Sequence, residues 1–157
     1  MMTSLTTTAA PAAAVGIFLG ATAAFADVTA EDVWADWRNY MAASGYDLQA
    51  TESRSGDTLT ISDVVMTLDI PEEDTSVTVS MGGLDFTDNG DGTVSISVAP
   101  DMPIGVIVAG PDGEEADIGL NYATRDLSID VSGDPDDLTY TYSAAMAAIT
   151  LQELAVE

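Results

Sequence analysis

The stretch from Thr58 to Val98 constrains the fold more than any other. It reads T-L-T-I-S-D-V-V-M-T-L-D-I, then P-E-E-D-T-S, then V-T-V-S-M-G-G-L-D-F-T, then D-N-G-D-G, then T-V-S-I-S-V. Apolar and polar residues alternate within each long run, the mark of a strand with one buried face. The breaks between runs are rich in turn residues. Asn89-Gly90-Asp91-Gly92 accepts the positive φ that tight hairpins need. These features predict an antiparallel meander that continues to the C-terminus.

The phase of the alternation slips three times. Leu59 and Ile61 share one phase and Val64, Met66, Leu68 and Ile70 the other, with the slip at Ser62-Asp63. Val77, Val79 and Met81 are followed by Leu84 and Phe86, with the slip at Gly82-Gly83. Ile149 and Leu151 are followed by Leu154 and Val156, with the slip at Gln152-Glu153. Each slip is either a β-bulge, which restores the buried face and bends the strand, or a strand end. Bulges would bend the sheet at one level and curl it.

Further runs predict strands at 93–99, 104–109, 116–122, 127–131, 138–142 and 148–156, after a short strand over 46–52. Inward candidates are Val94, Ile96, Val98, Val106, Val108, Ile118, Leu120, Leu127, Ile129, Val131, Leu138, Tyr140 and Tyr142. Pro100 and Pro103 are expected to bracket a turn, since proline breaks a central ladder. The fold class is thus mainly β: a curled antiparallel meander of about eight to nine strands with bulges. Hydrophobic residues are 46% of the chain but aromatic residues only 6%, so the core rests on Val, Ile, Leu, Met and Ala.

One helix is expected, over 29–44. Thr29 can cap it, and Glu31 and Asp32 sit where the helix dipole favours acids. Val33, Trp37, Tyr40, Met41 and Ser44 recur at helical spacing, with Trp34 beside the stripe and Gly45 as the stop. Trp34, Trp37 and Tyr40 read either as core packed on the sheet or as an aromatic platform for a ligand.

Residues 1–26 carry no charged side chain. Ala9 to Ala24 is apolar, Ala24-Phe25-Ala26 has the small-x-small form of a signal-peptidase site, and Asp27 opens the polar chain. A signal-peptide helix over 1–26, cleaved to leave one β-rich domain over 27–157, is the expectation. An uncleaved anchor is the alternative, although the segment lacks the usual early Lys or Arg. The location that follows is periplasmic or secreted.

Charge and residue inventory exclude much chemistry. The chain of 157 residues has 27 acidic and three basic side chains, Arg38, Arg54 and Arg125, for a net charge of −24. Phosphate backbones and anionic membrane surfaces would repel it. Histidine, cysteine and lysine are absent. That removes nucleophilic triads, Schiff bases, disulfides and His- or thiolate-bound metals. No cofactor is expected, and a non-enzyme is. Asp88-Asn89-Gly90-Asp91-Gly92 resembles part of a calcium loop, but an EF-hand starting there would need Glu where Ala99 stands. In a strict meander the turns 88–92, 110–115 and 132–137 share one end. They would form an acidic rim in which Asp88, Asp91, Asp112, Asp134 and Asp136 could bind a divalent cation weakly.

The runs A-D-V-T-A-E-D-V-W-A-D-W from Ala26 to Trp37, S-G-D-T-L-T-I-S-D-V from Ser55 to Val64 and V-S-G-D-P-D-D-L-T-Y from Val131 to Tyr140 carry a resemblance. Together they resemble the uncharacterised family of exported bacterial proteins labelled domain of unknown function 2125. The resemblance implies a periplasmic protein of Gram-negative bacteria and supplies no catalytic residues. Family members are usually longer, so the chain corresponds to their N-terminal part.

The functional expectation is a non-catalytic module that binds a hydrophobic or lipid ligand in a curved groove. Trp34, Trp37, Met66, Met81 and Phe86 are its candidate lining. A structural or assembly protein of the cell envelope is the alternative. Ile149, Leu151, Leu154 and Val156 form an apolar terminal strand with one acid, Glu153, among them. Such a strand is expected to pair with further structure along its free edge.

Overall fold

The computed structural model describes residues 27–157; the expected signal segment over 1–26 lies outside the described residues. Among the described residues, no helix is long and apolar enough to cross a membrane. One α-helix, α1 (Ala30–Ala43), precedes ten strands. These are β1 (Asp47–Ser55), β2 (Thr58–Ile70), β3 (Thr75–Met81), β4 (Leu84–Asp88) and β5 (Val94–Val98). They continue with β6 (Asp101–Ala109), β7 (Glu115–Arg125), β8 (Ser128–Asp134), β9 (Asp137–Ser143) and β10 (Met146–Val156). All pairings are antiparallel, within one curled sheet that does not close.

Pairing registers explain how ten strands make a simple meander. One edge of β2 pairs with β1; the other pairs first with β4 (Ile61 opposite Leu84) and then with β3 (Val64 opposite Met81). So β3 and β4 are two halves of one pass, broken at Gly82-Gly83. In the same way β5 and β6, β7 and β8, and β9 and β10 are halves of single passes. The breaks line up as one crease: Asp63, Gly82-Gly83, Ala99-Pro100, Asp126-Leu127 and Ala144-Ala145. Asp63 and Asp126 hold φ of 52° there, a left-handed conformation that only short polar side chains and glycine adopt readily. At Gly83 a Cβ would lie 2.9 Å from the Ile61 carbonyl oxygen, so this position of the crease admits no side chain.

The crease corrects two expectations. The stretches 100–103, 123–126 and 143–147 are not reversals, so within the sheet of the described residues the chain turns round only at 56–57, 71–74, 89–93, 110–114 and 135–136. The turns at 88–92 and 132–137 therefore share an end with Gly56-Asp57. The turn at 110–115, with Asp112, lies at the opposite end beside 71–74. Pro103 is also inside β6 rather than in a turn: it stands opposite Asn121 of β7. Pairing with β3 begins only at Ile104, so this proline sits where one flank has no ladder to break. The three phase slips do mark irregularities in the sheet, the last as a register shift between Leu151 and Glu153.

On one side of the crease lies a capped half, made of β4, β5, β8, β9 and the adjoining parts of β1 and β2. On the other lies a wing, made of β3, β6, β7, β10 and Val64–Ile70 of β2. The helix packs on β1, β2 and β4. Nearly all buried apolar residues, Val33, Trp34, Leu59, Ile61, Phe86, Val94, Ile96 and Val131 among them, gather under it. Each fully buried aliphatic or aromatic side chain contributes about 1.5–3 kcal/mol.

Local chemistry fixes where α1 starts and stops. Thr29 and Asp32 form a capping box, the Thr29 hydroxyl accepting from the Asp32 amide and the Asp32 carboxylate from the Thr29 amide. At the other end Gly45 has φ of 88°, and the amides of Gly45 and Tyr46 donate to the carbonyls of Ala42 and Met41. That pairing is a Schellman stop, which needs the left-handed glycine. Val33, Trp34, Trp37 and Met41 form the packed stripe. Tyr40, expected within it, is 69% exposed because the stripe is centred on Trp34.

Candidate functional site

Two regions bring the sequence candidates together, one beneath α1 and one on the wing. Trp34, Trp37, Met66 and Met81 meet around a cavity of about 90 Å³, completed by Met41, Leu48, Val64 and Leu84. Phe86 does not line it. Its ring is fully buried beneath both tryptophans, with centroids 6.0 Å from Trp34 and 5.4 Å, edge to face, from Trp37. A water claims about 30 Å³, so the cavity alone is too small for an acyl chain.

The cavity opens the question of the wing, whose sheet continues the same face. Residues directly opposite in an antiparallel pair share a face. Four rows of side chains therefore cross the wing. The first is Val64, Met81, Ile104, Leu120 and Leu151; the second is Met66, Val79, Val106, Ile118 and Leu154. The third is Leu68, Val77, Val108, Ala116 and Val156; the short fourth is Met102, Tyr122 and Ile149. All are apolar but for the Tyr122 hydroxyl. The opposite face carries Thr67, Ser76, Thr78, Ser80, Asp117 and Thr150.

The rows end exposed at β10. Val64 is buried, Met81, Ile104 and Leu120 are half-buried, and Leu151 is 57% exposed. Apart from the crease end, where Met102 is buried beside Gly82, no element of the described residues packs closely on this face of β6, β7 and β10. A sheet with one apolar face ordinarily buries it under a second layer. Large uncovered apolar patches are uncommon on single-chain globular proteins.

The terminal candidates sit at the margin of the wing. β10 pairs with β7 along one edge and, among the described residues, with nothing along the other. Ile149, Leu151, Leu154 and Val156 are 57–74% exposed.

Two of the acidic candidates, Asp88 and Asp91, have other partners. One Asp88 oxygen accepts from the Ala30 amide, an orphan donor of the first helical turn. The other pairs with Arg54, which also holds Glu31 at 2.7 Å. The bond to Asp88, then the charges of Asp88 and Glu31, raise the Arg54 pKa further. Asp91 accepts from the Thr93 hydroxyl at 2.6 Å and amide at 3.1 Å, and these bonds lower its pKa. Asp134 and Asp136 stand in the β8–β9 turn, and Asp112 lies at the far end of the sheet. Among the described residues no three carboxylates converge on a point that could hold a metal ion.

One cluster escaped the sequence reading. The Trp34 indole donates to Glu52 of β1 at 2.7 Å, and the Trp37 indole to the Tyr140 hydroxyl of β9 at 3.1 Å. Tyr140 in turn donates to Asp36 at 2.9 Å. The helix thus spans the gap between the two edge strands of the capped half, β1 and β9. Burial first, and then the Asp36 carboxylate, push the Tyr140 pKa up to about 12. Asp36, Trp37, Tyr40, Met41 and Tyr140 line an open hollow of about 430 Å³. Tyr140 is a hundred places away in sequence, so nothing local could have joined it to Asp36.

Compared with known proteins, the chain matches no family model, no curated protein and no solved structure.

Proposed function

We propose that the protein is a non-catalytic binding module of an exported, periplasmic or secreted chain, and that it takes an apolar ligand, an acyl chain, against the wing. The observation that carries this reading is the set of four apolar rows that run out from beneath α1 and the crease onto β6, β7 and β10, where the described residues supply no packed layer. The rows lead to the cavity under Trp34, Trp37, Met66 and Met81, where an acyl end would find methionines that adapt to irregular shapes. The crease supplies curvature. The inventory supports binding over catalysis, since no histidine, cysteine or lysine is present for acid-base or nucleophilic work. The test is partition of a fluorescent acyl probe with an uncharged headgroup, chosen because a charge of −24 repels a carboxylate. Saturable uptake that disappears in Leu120→Asp is expected. Absence of uptake by the folded protein would remove the reading.

A second reading, an assembly element of the envelope, is favoured by the free edge of β10. Its main-chain groups and four exposed apolar side chains suit pairing with the same strand of a second copy. Two copies of net charge −24 repel, so association should rise with salt. Leu151→Lys should abolish it and leave the sheet folded. Light scattering from a monomer at high concentration and high salt would rule it out.

A further inference from the structure

The hollow between α1 and β9 has a composition that the acyl reading does not use. Three of its five lining residues are aromatic, Trp37, Tyr40 and Tyr140, and a fourth is Met41. Its one charged group is the Asp36 carboxylate, which is exposed and accepts a hydrogen bond from neutral Tyr140. The polar edges of Trp37 and Tyr140 are spent on each other and on Asp36, through bonds of 3.1 and 2.9 Å. What the two rings have left to offer is apolar, polarisable surface.

Among the described residues no cationic side chain lines the hollow. Lysine is absent from the chain. Among the described residues Arg38 pairs with Glu52, and Arg54 pairs with Glu31 and Asp88. None of the ion pairs among the described residues involves Asp36. Aromatic rings attract cations through their negative faces, and do so best for large, weakly hydrated ammonium groups. A hollow of about 430 Å³ lies within the usual range for small-molecule sites, roughly 300–1,000 Å³.

We propose that the Asp36–Trp37–Tyr40–Tyr140 hollow binds a compact organic ammonium ion of the quaternary, choline-like class. Asp36 supplies the counter-charge and the aromatic side chains supply the walls. The net charge of −24 raises the local concentration of any cation, and the rings select the poorly hydrated organic one over sodium. Tyr140 stays protonated throughout the physiological range, its pKa pushed up to about 12, and so keeps donating its bond to Asp36. This site shares Trp37 and Met41 with the cavity under the helix but none of the rows of the wing, and it does not depend on the acyl reading.

The experiment is an NMR titration of the two indole N–H signals with choline, at constant ionic strength set by sodium chloride. A saturable shift of the Trp37 signal is expected, with the Trp34 signal nearly still because its indole is held by Glu52. The uncharged tert-butyl isostere of choline should bind about tenfold more weakly or worse, the worth of a cation over a ring and a carboxylate. Asp36→Asn should weaken choline binding by a similar factor. Tyr40→Ala, a change at a side chain 69% exposed and so harmless to folding, should also weaken it. Equal binding of cation and isostere, full affinity in Asp36→Asn, or a Trp37 shift that sodium reproduces would each overturn the proposal. Loss of acyl uptake by the wing would leave it standing.

Discussion

Replacing Phe86 by alanine tests where the stability of this sheet resides. Phe86 is fully buried, in contact with both tryptophans, at the centre of the capped half. Removing a buried phenylalanine costs about 3–5 kcal/mol. Its edge-to-face contact with Trp37 adds about 0.5–1.5 kcal/mol beyond the area buried. We therefore expect a loss of about 4–5 kcal/mol, roughly a third or more of the stability of an ordinary domain at about 5–15 kcal/mol. Leu120→Ala is the matched control. Leu120 lies half-buried on the uncovered wing, so its truncation leaves no closed cavity and removes little buried surface. Its cost should stay near 1 kcal/mol, well below the roughly 2–5 kcal/mol of an enclosed leucine. Urea unfolding followed by tryptophan fluorescence reads both, because Trp34 and Trp37 are the sole tryptophans and both lie against Phe86. If Leu120→Ala destabilises as much as Phe86→Ala, the apolar face of the wing is packed, and the argument for a binding surface collapses.

Gly133 holds φ of 111°, and a Cβ there would lie 2.4 Å from the Asp137 carbonyl oxygen. Gly133→Ala should cost about 1–3 kcal/mol through strain at the β8–β9 hairpin, and an unchanged melting temperature would contradict the placement. Tyr140 has a folded-state pKa near 12, above the ordinary value of about 10. The neutral form is favoured in the fold, so this contribution is complete below about pH 10 and is lost as pH rises through 12. Ultraviolet titration of tyrosinate should show a late-titrating group that vanishes in Tyr140→Phe. Thr29→Ala removes half of the capping box and should lower stability by about 1 kcal/mol in thermal melts, with α1 fraying first from its N-terminus.

What the chain alone determined is local. Alternation fixed which residues of β2, β3, β4 and β5 share a face, because a strand has period two whatever it pairs with. The slips at Ser62-Asp63, Gly82-Gly83 and Gln152-Glu153 located three irregularities, since a restored phase needs an extra residue. Thr29, Asp32 and Gly45 set the helix ends through bonds that close within a few residues. Pairing partners were beyond reach of such reasoning. A break that bends a pass looks, in sequence, like a turn that reverses it, and Pro100–Pro103 and Ala123–Asp126 were therefore counted as turns. That miscount placed Asp112 at the wrong end of the sheet. Only the tertiary structure decided that the helix bridges β1 and β9, joining Asp36 to Tyr140. Only it decided that Tyr40 faces solvent, and that among the described residues the apolar rows run out from under α1 to an exposed end at β10. Alternation says that a face is apolar; what covers that face depends on elements far away along the chain.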